Sequence, residues 1–208
     1  MIRTDYLVAA DAAAELLAAP ELARVWQRPS ALAHYTVAGL AGHLAGQIFF
    51  AERALAEPPG DAELIDIITY YDRVAWRHAG HDEPEHVRIR EGSARLAADG
   101  PTALAERAAD AVRRLPAMLA AEPEDRLVQL SLWDWRLRLD DFLLGRTMEL
   151  LVHIDDLAVS IGVPTPEPAR PDATLALLTT LAARQHGATA LLRALTRAER
   201  APATIAAF

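Results

Sequence analysis

Glu149 and His153 stand four residues apart in the run Arg146-Thr147-Met148-Glu149-Leu150-Leu151-Val152-His153, and another histidine, His43, lies in the apolar run Ala41-Gly42-His43-Leu44-Ala45. In a helix, positions i and i+4 project from the same side, so Glu149 and His153 share a face. Two imidazoles and one carboxylate, with one position left open, form the ligand set of a working divalent-metal site if the two helices pack together. Taken alone, an i,i+4 Glu–His pair is more often a surface contact worth roughly 0.3 kcal/mol. The surroundings weigh against the surface reading. Residues 142–161 are strongly apolar, and a carboxylate buried there is costly unless a cation is close. At about 100° per residue, Leu143, Leu150, Ile154, Leu157 and Ile161 form the apolar stripe, with Glu149 and His153 on its flank. His43, beside Gln47, falls on the flank of a second stripe. Flank positions line the mouth of a helical bundle, where a metal keeps a water and admits a substrate.

The elements that must position these residues are mostly helical. The spacing of Tyr6, Leu7, Ala10, Ala14 and Leu17 predicts a first helix from Thr4 to Ala19, ended by Pro20 and followed by a turn region through Trp26, Pro29 and Ser30. Thr36 is the expected N-cap of the His43 helix, which reaches Ala56 before Pro58-Pro59-Gly60. A third helix is expected over 62–78, capped by Asp61, and another from Glu85 to Ala98. Thr102 is expected to cap a long helix to Ala121, kinked at Pro116. Apolar residues alternate from Leu130 to Leu139, so 126–139 reads as one or two short extended segments. Asp140 or Asp141 then caps the Glu149/His153 helix, which ends at Ile161 with Gly162 behind it. A proline-rich linker, 163–171, leads to one or two helices ending near Arg197. Four long helices with little strand make an all-α bundle.

The absences constrain the chemistry. The chain has no Cys, which excludes disulfides, Cys-ligated zinc and a protein thiol nucleophile. All 21 Lys and Arg residues are Arg, so a Schiff-base or P-loop lysine is excluded as well. A net charge of −8 with dispersed arginines argues against nucleic acid as a partner. No apolar run approaches bilayer length and the first residues lack a signal-peptide pattern, so no membrane association and a cytoplasmic location are expected.

Other candidates have plainer explanations beside them. His78, His81 and His86, with Asp82, Glu83 and Glu85, form either a solvated loop or an adventitious metal site. His34 packs before a helix cap, and His186 next to Gly187 belongs to a helix C-terminus. Trp133, Asp134 and Trp135 either line a pocket or pack structurally.

The pattern Trp26…Ser30…Thr36-Val37-Ala38-Gly39-Leu40-Ala41-Gly42-His43-Leu44-Ala45 resembles the N-terminal half of the mycothiol-dependent maleylpyruvate isomerase family, within the broader DinB-like superfamily. The stretch from Asp141 to Ala158 is similar to that family's second motif, Arg-x-x-Glu-x-x-x-His-x-x-Asp-Leu, here Arg146, Glu149, His153, Asp156 and Leu157. The ending Ala190 to Thr196 is similar to the tail of its short members. The resemblance implies a DinB-like four-helix bundle with a divalent metal, usually zinc, held by His43, Glu149 and His153, and mycothiol as cosubstrate. The joint lack of Lys and Asn, both with AT-rich codons, fits the GC-rich actinobacteria that make this thiol. Asp156 is then a candidate hydrogen-bond acceptor orienting an imidazole, and Arg146 and Trp133 are candidates for the surrounding pocket. The isomerase itself carries a C-terminal α+β domain for which residues 163–208 are too few, so maleylpyruvate does not carry over. The expected organisation is a metal-binding bundle, 1–162, with a short helical extension, 163–208.

Three readings follow: a thiol-dependent S-transferase or isomerase acting on a small electrophile, a metal-dependent hydrolase using bound water, and a non-catalytic metal-binding bundle. The apolar face of the C-terminal helices either closes over the bundle or forms a homodimer.

Overall fold

The computed structural model describes residues 2–130 and 133–208. Among these the chain is mostly helical, built around four long helices: α1 (Ile2–Leu17), α3 (Val37–Ala56), α6 (Pro101–Ala120) and α7 (Leu139–Ile161). α1 and α3 each pack on both α6 and α7 and also touch each other. Their shared interior is lined by Tyr6, Leu40, Leu44, Ile48, Leu115, Leu143 and Leu150, all fully buried. Burial of aliphatic and aromatic side chains at about 1.5–3 kcal/mol each is the main force holding the four together.

Between the long helices lie α2 (Pro20–Val25), α4 (Ile67–Arg73) and α5 (Pro84–Leu96), with α8 (Asp172–His186) and α9 (Ala188–Thr196) after α7. Three short strands, β1 (Glu63–Leu64), β2 (Leu127–Val128) and β3 (Trp135–Arg138), form a sheet in the order β1-β3-β2. β1 runs parallel to β3, and β2 antiparallel to it. The sheet bears out the period-two reading of 126–139, of which Ser131 and Leu132 lie outside the described residues. Among the described residues no helix is long and apolar enough to cross a membrane.

Several expected boundaries move, each for a local reason. The first helix runs from Ile2 to Leu17, two residues earlier than expected at each end, and the turn region after it contains α2, started by Pro20 at its first position. The single helix expected over 62–78 does not form. Instead β1 pairs with β3, where Ile65 N–H donates to the Arg136 carbonyl at 3.0 Å, and the hydrogen bonds offered by β3 outcompete helix. Asp66, rather than Asp61, is the cap that follows, its carboxylate accepting from Thr69 N–H at 2.7 Å; α4 then ends at Arg73, before a 3-10 turn at Ala75–Arg77. α6 starts at Pro101 rather than being capped by Thr102, because Pro101 presets φ for the first turn and Gly100, at φ +91°, makes the entry. Asp140 and Asp141 do not cap α7. The cap position is Arg138, the last residue of β3, and the two aspartates lie in the first turn, where negative charge suits the helix dipole and Asp140 pairs with Arg3 at 3.1 Å.

The expectations at the two site-bearing helices hold. Thr36 Oγ1 accepts from Gly39 N–H at 3.1 Å and caps α3, and Gly162, at φ +75°, closes α7 in the left-handed conformation. Beyond α7, Leu177 and Leu181 of α8 are buried, and the chain end folds back so that the Phe208 ring rests 5.8 Å from Tyr71 and 5.5 Å from Trp76.

Candidate metal centre

α3 brings His43, and α7 brings Glu149 and His153, to one point between the helices. One ligand atom from each of the three lies within 4.8 Å of the others. His153 Nε2 is 3.2 Å and His43 Nε2 3.6 Å from the same Glu149 oxygen, Oε2. The two imidazoles meet edge to face, with ring centroids 4.6 Å apart. The three side chains retain only 12–16% of their surface, deeper than a bundle mouth but still reached by solvent.

The far nitrogens are held as well. His43 Nδ1 lies 3.3 Å from Ser93 Oγ, whose own hydrogen goes to the Ile89 carbonyl at 2.8 Å, so Ser93 accepts and His43 carries its proton on Nδ1. His153 Nδ1 lies 2.9 Å from Asp156 Oδ2, where a carboxylate can only accept. Both rings therefore have Nδ1–H engaged, and Nε2 is the atom each turns toward Glu149. Such outer hydrogen bonds fix the tautomer and orientation of metal-ligating imidazoles. Two Nε2 atoms and a carboxylate oxygen, brought together from two helices, fit a divalent cation.

Burial works against the Glu149 charge, but the hydrogen bond and positive charge of His153, with His43 and Arg146 beside it, outweigh burial and hold its carboxyl well below the usual range. Burial lowers the pKa of His43 and keeps it neutral. For His153, burial opposes the proton but Asp156 and Glu149 attract it more strongly, and the pKa is pushed up to about 9. Metal and proton then compete for His153 Nε2. At pH 7.5 metal uptake is expected to displace about one proton from His153, and at pH 10 close to none, apart from any proton lost by metal-bound water. Calorimetric titration with zinc in buffers of different ionisation enthalpy measures this; release near zero at pH 7.5 would show that Nε2 is not a ligand atom.

Of the surrounding residues expected from sequence, Asp156 touches His153 as described. Arg146 stays outside the cluster, one turn before Glu149, its Nη1 donating to Gln47 Oε1 at 2.6 Å. Trp133 packs against Tyr70, Trp135 and Phe142 with ring separations of 5.3–6.2 Å, and no contact between it and the cluster is seen among the described residues. Among the described residues His78, His81 and His86 gather no second set of ligands. The His81 ring lies 4.8 Å from His34 and 5.6 Å from His86, whereas His78 Nε2 faces the Asp72 carbonyl. His186 ends α8 with Nε2 2.8 Å from the Ala206 carbonyl.

Two residues escape sequence reasoning. Ser93 lies 50 positions from His43 on a polar helix, and no spacing rule connects them. Tyr35 stands next to α3 with its ring 5.8 Å from His43; burial first, and Glu149 among the lesser causes, pushes its pKa up to about 12, so the phenol keeps its proton.

Residues 6–158, spanning both ligand-bearing helices, match a family model described as the mycothiol maleylpyruvate isomerase N-terminal domain. No curated protein and no solved structure matches the chain.

Proposed function

The chain belongs to the mycothiol maleylpyruvate isomerase N-terminal domain family, and from that membership and the His43–Glu149–His153 cluster we propose a metal-dependent enzyme that adds a low-molecular-weight thiol, mycothiol, to a small electrophile, as an S-transferase or a thiol-assisted isomerase. The observation that carries this reading is the convergence of two Nε2 atoms on one Glu149 oxygen while both Nδ1 atoms are tied back. A divalent cation held there, zinc in this reading, supplies the Lewis acidity that turns a thiol of ordinary pKa, about 8.5, into its thiolate at neutral pH. The chain has no cysteine, so the reactive sulfur comes with the cosubstrate. Ser93 and Asp156 hold the imidazoles in place, and the neutral Tyr35 phenol beside His43 can donate a hydrogen bond to an oxygen of the electrophile as it gains negative charge. α1, α3, α6 and α7 are read as a DinB-like bundle that presents the site, with 163–208 as a helical extension.

Incubation of zinc-loaded protein with mycothiol and a panel of electrophiles, read by mass spectrometry, tests the proposal. A thiol adduct or an isomerised substrate that depends on both zinc and thiol is the expected result. Turnover of the electrophile with water in the absence of thiol would replace this reading with a hydrolase, and thiol binding without turnover with a non-catalytic bundle.

A further inference from the structure

Arg146 is a buried cation without a salt-bridge partner among the described residues. It is 8% exposed, and its Nε has no hydrogen-bond partner. Its guanidinium lies 5.6 Å from the Phe142 ring, and its Nη1 donates to Gln47 Oε1 at 2.6 Å. Tyr70, Tyr71 and Tyr6 lie around it, all kept neutral by burial, which raises their pKa values. Glu149, one turn further along α7, is the anion that acts on it. Leucine or methionine would fill this space without the desolvation cost of a guanidinium, which stays charged at any working pH. What this position adds is a fixed positive charge.

That charge sits one carboxamide away from the candidate metal centre. Gln47, which accepts from Arg146, places its Nε2 3.5 Å from His43 Nε2 and donates to the His43 carbonyl at 3.1 Å. The charge count around the centre then has a definite sign. Two neutral imidazoles contribute nothing, and the carboxylates of Glu149 and Asp156 together offset a divalent cation. Arg146 leaves one positive charge uncompensated in a site of low dielectric. A monoanionic ligand in the open direction cancels it, and a neutral ligand does not.

We propose that Arg146 makes the open position of this centre select an anionic ligand, so that a thiol is taken up as its thiolate in preference to a neutral donor. The inference rests on the metal-and-thiol reading above and adds to it the residue that sets ligand charge. Arg146 does not touch the ligand; it acts across the Gln47 carboxamide as an electrostatic positioning residue.

The test uses cobalt-loaded full-length protein, with azide as the anionic probe and imidazole as the neutral one, both read from the visible cobalt spectrum. Arg146→Gln removes the charge and keeps a polar group, and Arg146→Lys keeps the charge without the planar fork. Azide is expected to bind about tenfold more weakly to the Gln variant and near wild-type strength to the Lys variant, with imidazole binding unchanged in both. Equal weakening of azide and imidazole in the Gln variant would assign Arg146 a merely structural role. Unchanged azide binding, or a Lys variant as weak as the Gln one, overturns the proposal too. Arg146→Met repeats the neutral measurement if the Gln variant does not fold. A wild-type protein that takes up no cobalt overturns the metal reading itself and this inference with it, and that failure is seen before any variant is compared.

Discussion

Glu149→Gln is expected to bind zinc at least 100-fold more weakly than wild type and, without metal, to be less stable by about 3–5 kcal/mol at pH 7. The first effect follows from the loss of the only anionic ligand in the cluster, the oxygen on which both Nε2 atoms converge. The second follows from the charges left behind. Metal-free Glu149 lies among protonated His153, neutral His43 and Arg146, and replacing its carboxylate with a neutral amide leaves Arg146 without its nearest anion and His153 with Asp156 alone. The sign of the pH dependence is set by His153. Its folded pKa of about 9 is above the ordinary 6.5, so its stabilising contribution is complete below about pH 6.5 and disappears as pH rises through 9. The destabilisation of metal-free Glu149→Gln is therefore largest from about pH 5 to neutral, where Glu149 is ionised and His153 protonated, and shrinks by pH 10. Competition with a chromophoric zinc chelator measures the affinity, and urea unfolding of chelator-treated protein at pH 7 and 10 measures the stability. His43→Ala serves as the contrast, removing a neutral ligand with metal loss but a smaller stability cost. Unchanged zinc affinity in Glu149→Gln would remove Glu149 from the ligand set.

Gly42→Ala is expected to lower stability by about 2–3 kcal/mol and Tm by roughly 5–10 °C, although it adds only one methyl group. A Cβ on Gly42 would lie 2.0 Å from the Ser93 carbonyl oxygen and 2.9 Å from its carbon, backbone atoms of α5 that cannot turn aside. Gly42 is thus what lets α5 approach α3 closely enough for Ser93 to meet His43 Nδ1. The variant therefore loses the orientation of one imidazole as well as packing, and its zinc affinity is expected to fall about tenfold. Gly46→Ala is the control one turn along α3. Its Cβ meets the end of the Leu96 side chain at 3.3 Å, which can shift, so near wild-type stability is expected. Thermal unfolding and chelator competition on both variants decide the matter; equal behaviour would show that the α3–α5 contact is not tight at Gly42.

The helices that carry the site were legible because their signals are local. Thr36 caps the three-residue step to Gly39, Gly162 supplies the left-handed C-terminus, and the 3.6-residue period places Glu149 beside His153. The region from Asp61 to His78 was not legible, because whether it is helix or strand depends on the free edge of β3, some seventy residues further along the chain. The cap of α7 was misread for a related reason: α7 follows β3 directly, and Arg138, held in the strand ladder, occupies the cap position.

By itself the sequence determined the donor types, the shared face of Glu149 and His153, the want of any cysteine and the family to which the chain belongs, since residue identity and helical period carry all four. Only the tertiary structure decided that His43 faces that pair across α3 and α7, that Ser93 reaches it from α5 through the gap left by Gly42, and that Arg146 is buried one carboxamide away. These are distances between groups far apart in the chain, set by which helix faces bury against each other, and no local period encodes them.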